Sequence, residues 1–213
     1  MKYVKTLGLA VVAAMALVPV AGAGTASATV FCEENVEPCP EAKQWSTGTA
    51  VDLALKTGTS FTTLNTGGEA LETCKSSTNG WTITNTGGAT ATVRGTTETK
   101  QISWTGCTFP LVALEGGELE FHTIAGTSNA TVTAKGFRIT LNTIFFGSCV
   151  YGFGAGAHVG TLTSSGTGDA ILTVSAVVTK VEGSSALCVT DLRIAGEYTQ
   201  KSPAGTPLFV KTS

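Results

Sequence analysis

Leu172-Thr173-Val174-Ser175-Ala176-Val177-Val178 decides the fold class. Positions 172, 174, 176 and 178 are apolar and share one face of an extended chain, because successive strand side chains point to opposite sides of a sheet. Leu192, Ile194 and Tyr198 repeat the pattern, with Arg193, Glu197 and Thr199 opposite. Val51, Leu53 and Leu55 alternate with Asp52, Ala54 and Lys56, and Phe137, Ile139 and Leu141 with Arg138, Thr140 and Asn142. Each run has a buried side and a wet side, as antiparallel sheets do. No window beyond the N-terminal segment carries a helical period.

Turn chemistry punctuates these runs. Asn79-Gly80 predicts a tight hairpin turn, since both residues tolerate positive φ. Asn65-Thr66-Gly67-Gly68 recurs as Asn85-Thr86-Gly87-Gly88, and Gly116-Gly117 and residues 166–169 add further turns. Two copies are too few for a solenoid. The chain of 213 residues holds 37 Thr and 26 Gly, which favour strands and turns. The expected fold is all-β, an antiparallel β-sandwich stapled by disulfides. Ala91-Thr92-Val93…Cys107 is echoed by Ala130-Thr131-Val132…Cys149, so a division into two packed β halves is placed near residues 115–117.

The N-terminus reads as a secretory signal. Lys2 and Lys5 precede an apolar run from Leu7 to Val18, and Ala26-Ser27-Ala28 is a small-x-small cleavage site. The run of 12 residues falls short of the ~20 needed to span a bilayer. Residues 1–28 are therefore expected to be removed and 29–213 exported, with no membrane span left after cleavage. No Leu-Pro-x-Thr-Gly sorting motif follows, so the mature chain is expected to be free or held non-covalently.

All six cysteines lie beyond that segment, and an even count in an exported chain implies disulfides. Local closure favours Cys32–Cys39, Cys74–Cys107 and Cys149–Cys188. Zinc is disfavoured, because no Cys-x-x-Cys pair or neighbouring His exists. Residues 29–46, with Glu33, Glu34, Glu37 and Glu41 around Pro38 and Pro40, read as an acidic, solvated N-terminal arm clipped by a small disulfide loop. The main β region is expected over 47–213.

Ile102-Ser103-Trp104-Thr105-Gly106-Cys107, then Phe146-Gly147-Ser148-Cys149-Val150-Tyr151-Gly152, then Cys188, then Tyr198-Thr199…Pro207-Leu208-Phe209-Val210 form an ordered set. On these motifs the chain resembles uncharacterised secreted β-rich proteins of high-GC Gram-positive bacteria. In cysteine layout alone it is similar to secreted alkane-oxidation activator proteins. The resemblance implies an exported bacterial β protein and supplies no catalytic residue.

Charged residues make up 13% of the chain, with a net charge of −2. That excludes the dense basic footprint of nucleic-acid binding and the high charge of a disordered tail. The one constellation with chemical promise is Glu118-Leu119-Glu120-Phe121-His122. On a strand Glu118, Glu120 and His122 share a face, and two carboxylates with an imidazole suit a divalent metal or acid–base work. Leu119 and Phe121 point the other way, which favours a plain solvent face. No Gly-x-Ser-x-Gly or His-Glu-x-x-His is present, and the Gly-rich stretch 152–160 lacks the Lys and helix of a phosphate cradle. Thr pairs at 82/84, 90/92, 97/99, 131/133 and 161/163 raise an ice-binding array, which their irregular spacing disfavours. Trp45, Trp81 and Trp104 raise a carbohydrate platform, against which core packing is preferred.

The expectation is a secreted non-enzymatic β-sandwich protein of the bacterial surface or matrix. It would act by binding or structure, with cell-envelope or matrix components as partners and no cofactor. The alternative is a soluble extracellular glycan- or small-ligand-binding module. Third is a metal-assisted enzyme using the Glu118/Glu120/His122 face.

Overall fold

The computed structural model describes residues 28–88, 91–143, 147–164, 166, 169–202 and 205–212. Residues 1–27 of the expected signal segment lie outside the described residues, as do Thr90, Phe146 and residues 167–168 of the 166–169 turn. The described chain is all-β, with strands numbered here along the sequence and only two short 3-10 turns, Glu41–Lys43 and Thr99–Gln101.

Eight strands close into one antiparallel barrel. In order around the wall they are β2 (Ala50–Leu55), β5 (Ser76–Gly88), β6 (Ala91–Thr97), β9 (Gly117–Thr123), β10 (Asn129–Lys135), β13 (Ala157–Ser164), β14 (Ala170–Lys180) and β15 (Asp191–Lys201). β15 then pairs with β2 and completes the ring. The expected sandwich is corrected by this closure. An alternating pattern serves either architecture; what decides is that both edges of β15 are taken. β14 and β15 pair over ten residue pairs, from Ala170↔Gln200 to Thr179↔Asp191, and Tyr198–Lys201 pair on the other side with Asp52–Leu55. No free edge remains along the wall at that level, the condition for a barrel. The wall takes three strands from before residues 115–117 and five from after, so both sides of the expected division share one core.

The inward rows are those read from the sequence: Val51 and Leu53, then Leu172, Val174, Ala176 and Val178, then Leu192, Ile194 and Tyr198 are all buried. The 137–141 run is less regular, since Thr140 is buried beside Leu141. The expected hairpin at Asn79-Gly80 does not form. Both residues lie inside β5, where Thr78–Thr82 pair with Ala50–Ala54 of β2, and this long-range ladder overrides the local turn preference.

The first and last described strands meet across one mouth of the barrel. β1 (Thr29–Cys32) pairs antiparallel with β16 (Phe209–Thr212), and nearly every residue of this ribbon is buried. Thr29 Oγ1 accepts the Thr123 N–H at 2.8 Å, and Ser164 Oγ accepts the Val210 N–H at 2.7 Å, so the ribbon is bonded to the rims of two hairpins. At Gly87 the φ is +84°, and a Cβ there would run into the Thr29 carbonyl. Residues 29–32 are thus a buried plug rather than part of a solvated arm; exposure begins at Glu33. The apolar Val30-Phe31 pair overrides the acidic residues that follow.

The opposite end flares. β15 carries β3 (Phe61–Leu64) on residues 193–195, and β4 (Ala70–Cys74) pairs beyond it. β14 carries β12 (Gly147–Gly152) at 179–180, followed outward by β11 (Arg138–Thr143) and β8 (Leu111–Glu115). β7 (Ser103–Thr105) pairs with the start of β5. The structure joins Cys32 to Cys39, Cys74 to Cys107 and Cys149 to Cys188, neighbours in sequence in each case, with no free cysteine among the described residues. Two of these bonds brace the flared end. No described helix is long and apolar enough to cross a membrane.

Candidate functional site: an apolar cavity inside the barrel

Eight-stranded barrels have room inside for packed side chains or one small ligand. Here the end near β1 and β16 is packed with aromatic rings. Phe31 meets Trp81 and Phe121 edge-on at 5.8 and 5.1 Å, and Trp81 stacks on Phe121 at 4.9 Å. Gly95 makes this possible, because a Cβ there would overlap the Trp81 ring. Beyond Trp81 the packing opens into a cavity of about 110 Å³. Barrel residues Leu53, Leu119, Ala134, Val159 and Leu172 line it from one side. Phe61, Trp104, Ile139, Tyr151 and Phe153 line it from the flared side. Phe137, Ile139, Phe153 and Trp104 are only partly buried, so the cavity faces outward there.

Among the described residues no carboxylate, imidazole or cationic side chain lines the cavity. Its polarity comes from a few atoms. The Tyr198 hydroxyl lies 3.2 Å from Ser77 Oγ, and burial pushes its phenol above the usual range, partly offset by Ser77, Asn79 and Trp104. Tyr151 donates to the Val189 carbonyl at 3.2 Å, and burial raises its phenol as well. Asn79 Oδ1 and Trp81 Nε1 are buried without a hydrogen-bond partner in the protein, while the Trp104 indole N–H lies beside the Tyr198 hydroxyl. Each such atom costs about 1–3 kcal/mol unless something pairs with it. These atoms are themselves shielded, so the surface that a guest would meet is almost wholly apolar.

The residues singled out in the sequence lie elsewhere. Glu118, Glu120 and His122 do share a face of β9, on the outside of the wall, with Leu119 and Phe121 buried behind them. Neighbouring strands supply cations to both carboxylates. Arg94 Nε lies 2.9 Å from Glu120 and 4.0 Å from Glu118, and Lys135 Nζ lies 3.1 Å from Glu118. His122 Nε2 stands 3.7 Å from Glu120. The carboxylates bridge strands, and neither lines the cavity. Among the described residues the one ligand-spaced group is Glu72, Cys74 and Cys107, and its two sulfurs are bonded to each other. Glu72 is itself engaged: it accepts the N–H groups of Thr73, Thr108 and Phe109 at 2.8, 2.5 and 2.5 Å.

The three tryptophans form no exposed platform. Trp45 and Trp81 are buried, and Trp104 leans on Phe61 at 5.7 Å. The Thr pairs 82/84, 131/133 and 161/163 lie on three different strands, β5, β10 and β13. His158 is exposed beside an outer hollow of about 360 Å³ shared with Ser175, Val177 and Arg193, open and mixed in polarity. Sequence reading missed Asn79 because it looked like a turn residue. It read Trp104 as platform or core and Tyr198 as a buried strand residue, but burial of an aromatic body says nothing about where its polar tip ends. No family model, no curated protein and no solved structure matches the chain.

Proposed function

We propose that the chain is a secreted, non-enzymatic binding protein that takes a small apolar molecule into the barrel. The observation that carries this reading is the cavity of about 110 Å³, almost wholly apolar in its lining and walled by barrel strands. Its volume is near that of the apolar cavity of about 150 Å³ known to take up benzene, which sets the size of guest at about one ring. A glycan suits it poorly, since each sugar hydroxyl would need a partner that this lining does not offer. Export is supported by the signal-like residues 1–28 and by three disulfides, which persist in oxidising settings. Bacterial origin rests on the sequence resemblance alone.

Toluene tests the reading. Binding to the native state alone raises the melting temperature, and should quench or shift the fluorescence of Trp81 and Trp104, which line the cavity. Ala134→Leu places extra carbons in the cavity and should abolish both responses in a folded protein. No response to toluene in the parent, or an equal one in the folded variant, would overturn the proposal. Intact-mass measurement of material from the culture medium should give a chain beginning at Thr29; membrane-bound protein retaining residues 1–28 would overturn the export assignment.

A further inference from the structure

We infer that the guest is an amphiphile, an apolar ring on a short tether that ends in a carboxylate, with its body in the cavity and its head on Arg193 and His158 at the outer face of the wall. This rests on the proposal that the barrel interior is a ligand site, and adds the head group of the guest. The wall is incomplete where these two residues stand. The pairing of β13 with β14 ends at Gly160↔Val174, and β12 takes up that edge of β14 only at Thr179 and Lys180. Val159 is the cause. β13 skips it in register against β10, where Val132 faces Gly160 and Thr133 faces His158. Such a bulge bends its strand and ends pairing. Among the described residues, 175–178 of β14 have no strand partner on that edge, and the hollow of about 360 Å³ opens there.

Hollow and cavity are the two sides of this gap. Ala157 and Ala176 belong to inward rows: Ala157 faces Ala134, and Ala176 lies between Val174 and Val178. Ala134, Val174 and Val178 line the cavity, yet both alanines line the outer hollow. Same-face neighbours on a strand are about 6.5–7 Å apart, so the hollow reaches the inward rows at two small side chains, close to the cavity lining.

The outer lip carries His158, Ser175 and Arg193, all exposed and without a side-chain hydrogen bond or ion pair among the described residues. The other two arginines are engaged, Arg94 by Glu120 and Arg138 by Glu115. Arg193 faces Val177 across β14, and His158 stands on the other side of the gap. An anion at the gap is therefore offered a guanidinium from one side and an imidazole N–H from the other. Asp191, the nearest acid in the Arg193 row, faces Thr179 and does not line the hollow. A carboxylate on this exposed lip stays hydrated, and so avoids the cost of carrying a charge into the apolar interior. An ammonium would meet Arg193 instead.

The experiment is a calorimetric comparison, on the full chain, of 3-phenylpropionate, 3-phenylpropan-1-ol and 3-phenylpropylamine, which share one apolar body and differ in the head. Toluene is the headless control. The acid should bind about fivefold more tightly than the alcohol, the worth of one or two exposed charge contacts, and the amine should bind most weakly. Arg193→Gln should bring the acid-to-alcohol ratio close to one while toluene affinity holds, and His158→Gln should lower the ratio by a smaller factor. Both positions are exposed, so neither change threatens the fold. The parent gives a second readout. The chain has two histidines, and the acid should shift the imidazole magnetic resonances of His158 while those of His122, on the outer face of β9, stay in place. An acid no tighter than the alcohol, a preference that survives Arg193→Gln, or an unmoved His158 would overturn the inference and leave a toluene-binding cavity standing. Failure of toluene to bind would overturn both readings, whatever the acid does.

Discussion

At the scale of the residue, Glu72 shows how a buried charge becomes an asset. It is 1% exposed, yet three N–H groups converge on it. Two of them come from residues 108 and 109, so the carboxylate pins the loop after Cys107 onto β4. Charge-assisted hydrogen bonds are worth about 1.5–3 kcal/mol each. Glu72→Ala should therefore destabilise the fold by about 3 kcal/mol or more in denaturant unfolding, and a loss below about 1 kcal/mol would refute the clamp. The outer face of β9 predicts the reverse. Its ion pairs are exposed, and such pairs contribute about 0–1 kcal/mol each. Replacing Glu118, Glu120 and His122 together by Thr should cost no more than about 1–2 kcal/mol, and added Zn²⁺ or Ca²⁺ should move neither melting curve. A metal-dependent rise lost in the triple variant would restore the metal reading. The β9 face was legible in sequence, because alternation alone separates 118, 120 and 122 from 119 and 121. The Glu72 clamp was not, because its partners lie 36 and 37 residues away.

At the scale of the element, the ribbon of β1 and β16 is the part that local reading could not assemble. Four glutamates within residues 33–41 outweighed the Thr29-Val30-Phe31 that precedes them. Nothing near Phe31 in sequence announces that its partner strand is the far end of the chain. Once paired, the ribbon splits its side chains between two environments. Phe31 and Val210 enter the main core, while Val30, Cys32, Cys39 and Phe209 form a small second cluster. Phe31→Ala removes a ring that touches both Trp81 and Phe121, and should cost about 3–5 kcal/mol. A solvated arm would lose almost nothing on the same substitution, so one pair of unfolding curves separates the two pictures. The Cys32–Cys39 bond closes a separation of only 7 residues, against 39 for Cys149–Cys188. The chain-entropy argument makes its removal the milder, at about 2–3 kcal/mol against about 4 kcal/mol.

At the scale of the whole molecule, period-two alternation established strands with one buried face, and could not say whether they would face each other or close. Closure depends on which strand takes the second edge of β15, a choice made between residues 52–55 and 198–201 across most of the chain. That closure also explains the behaviour expected at high pH. Residues 29–213 hold two tyrosines, Tyr151 and Tyr198, and the structure buries both. Burial disfavours the phenolate and raises both groups above the ordinary value of 10.0. An acid with a raised folded pKa binds more protons in the native state than in the unfolded state once the pH passes the unfolded value. Stability then falls with rising pH. The contribution is full below about pH 10, and is lost progressively as the pH climbs toward the folded values. Tyrosinate absorbance should therefore not develop gradually in the folded protein. It should appear in step with loss of near-ultraviolet circular dichroism, as unfolding exposes both phenols together. Tyr198→Phe should halve the amplitude and shift the transition to higher pH in relative terms, once its lost bond to Ser77 is allowed for by comparison at neutral pH. A smooth ionisation centred near 10 with the dichroism still native would mean that at least one phenol meets water, and that the barrel is more open than its walls indicate.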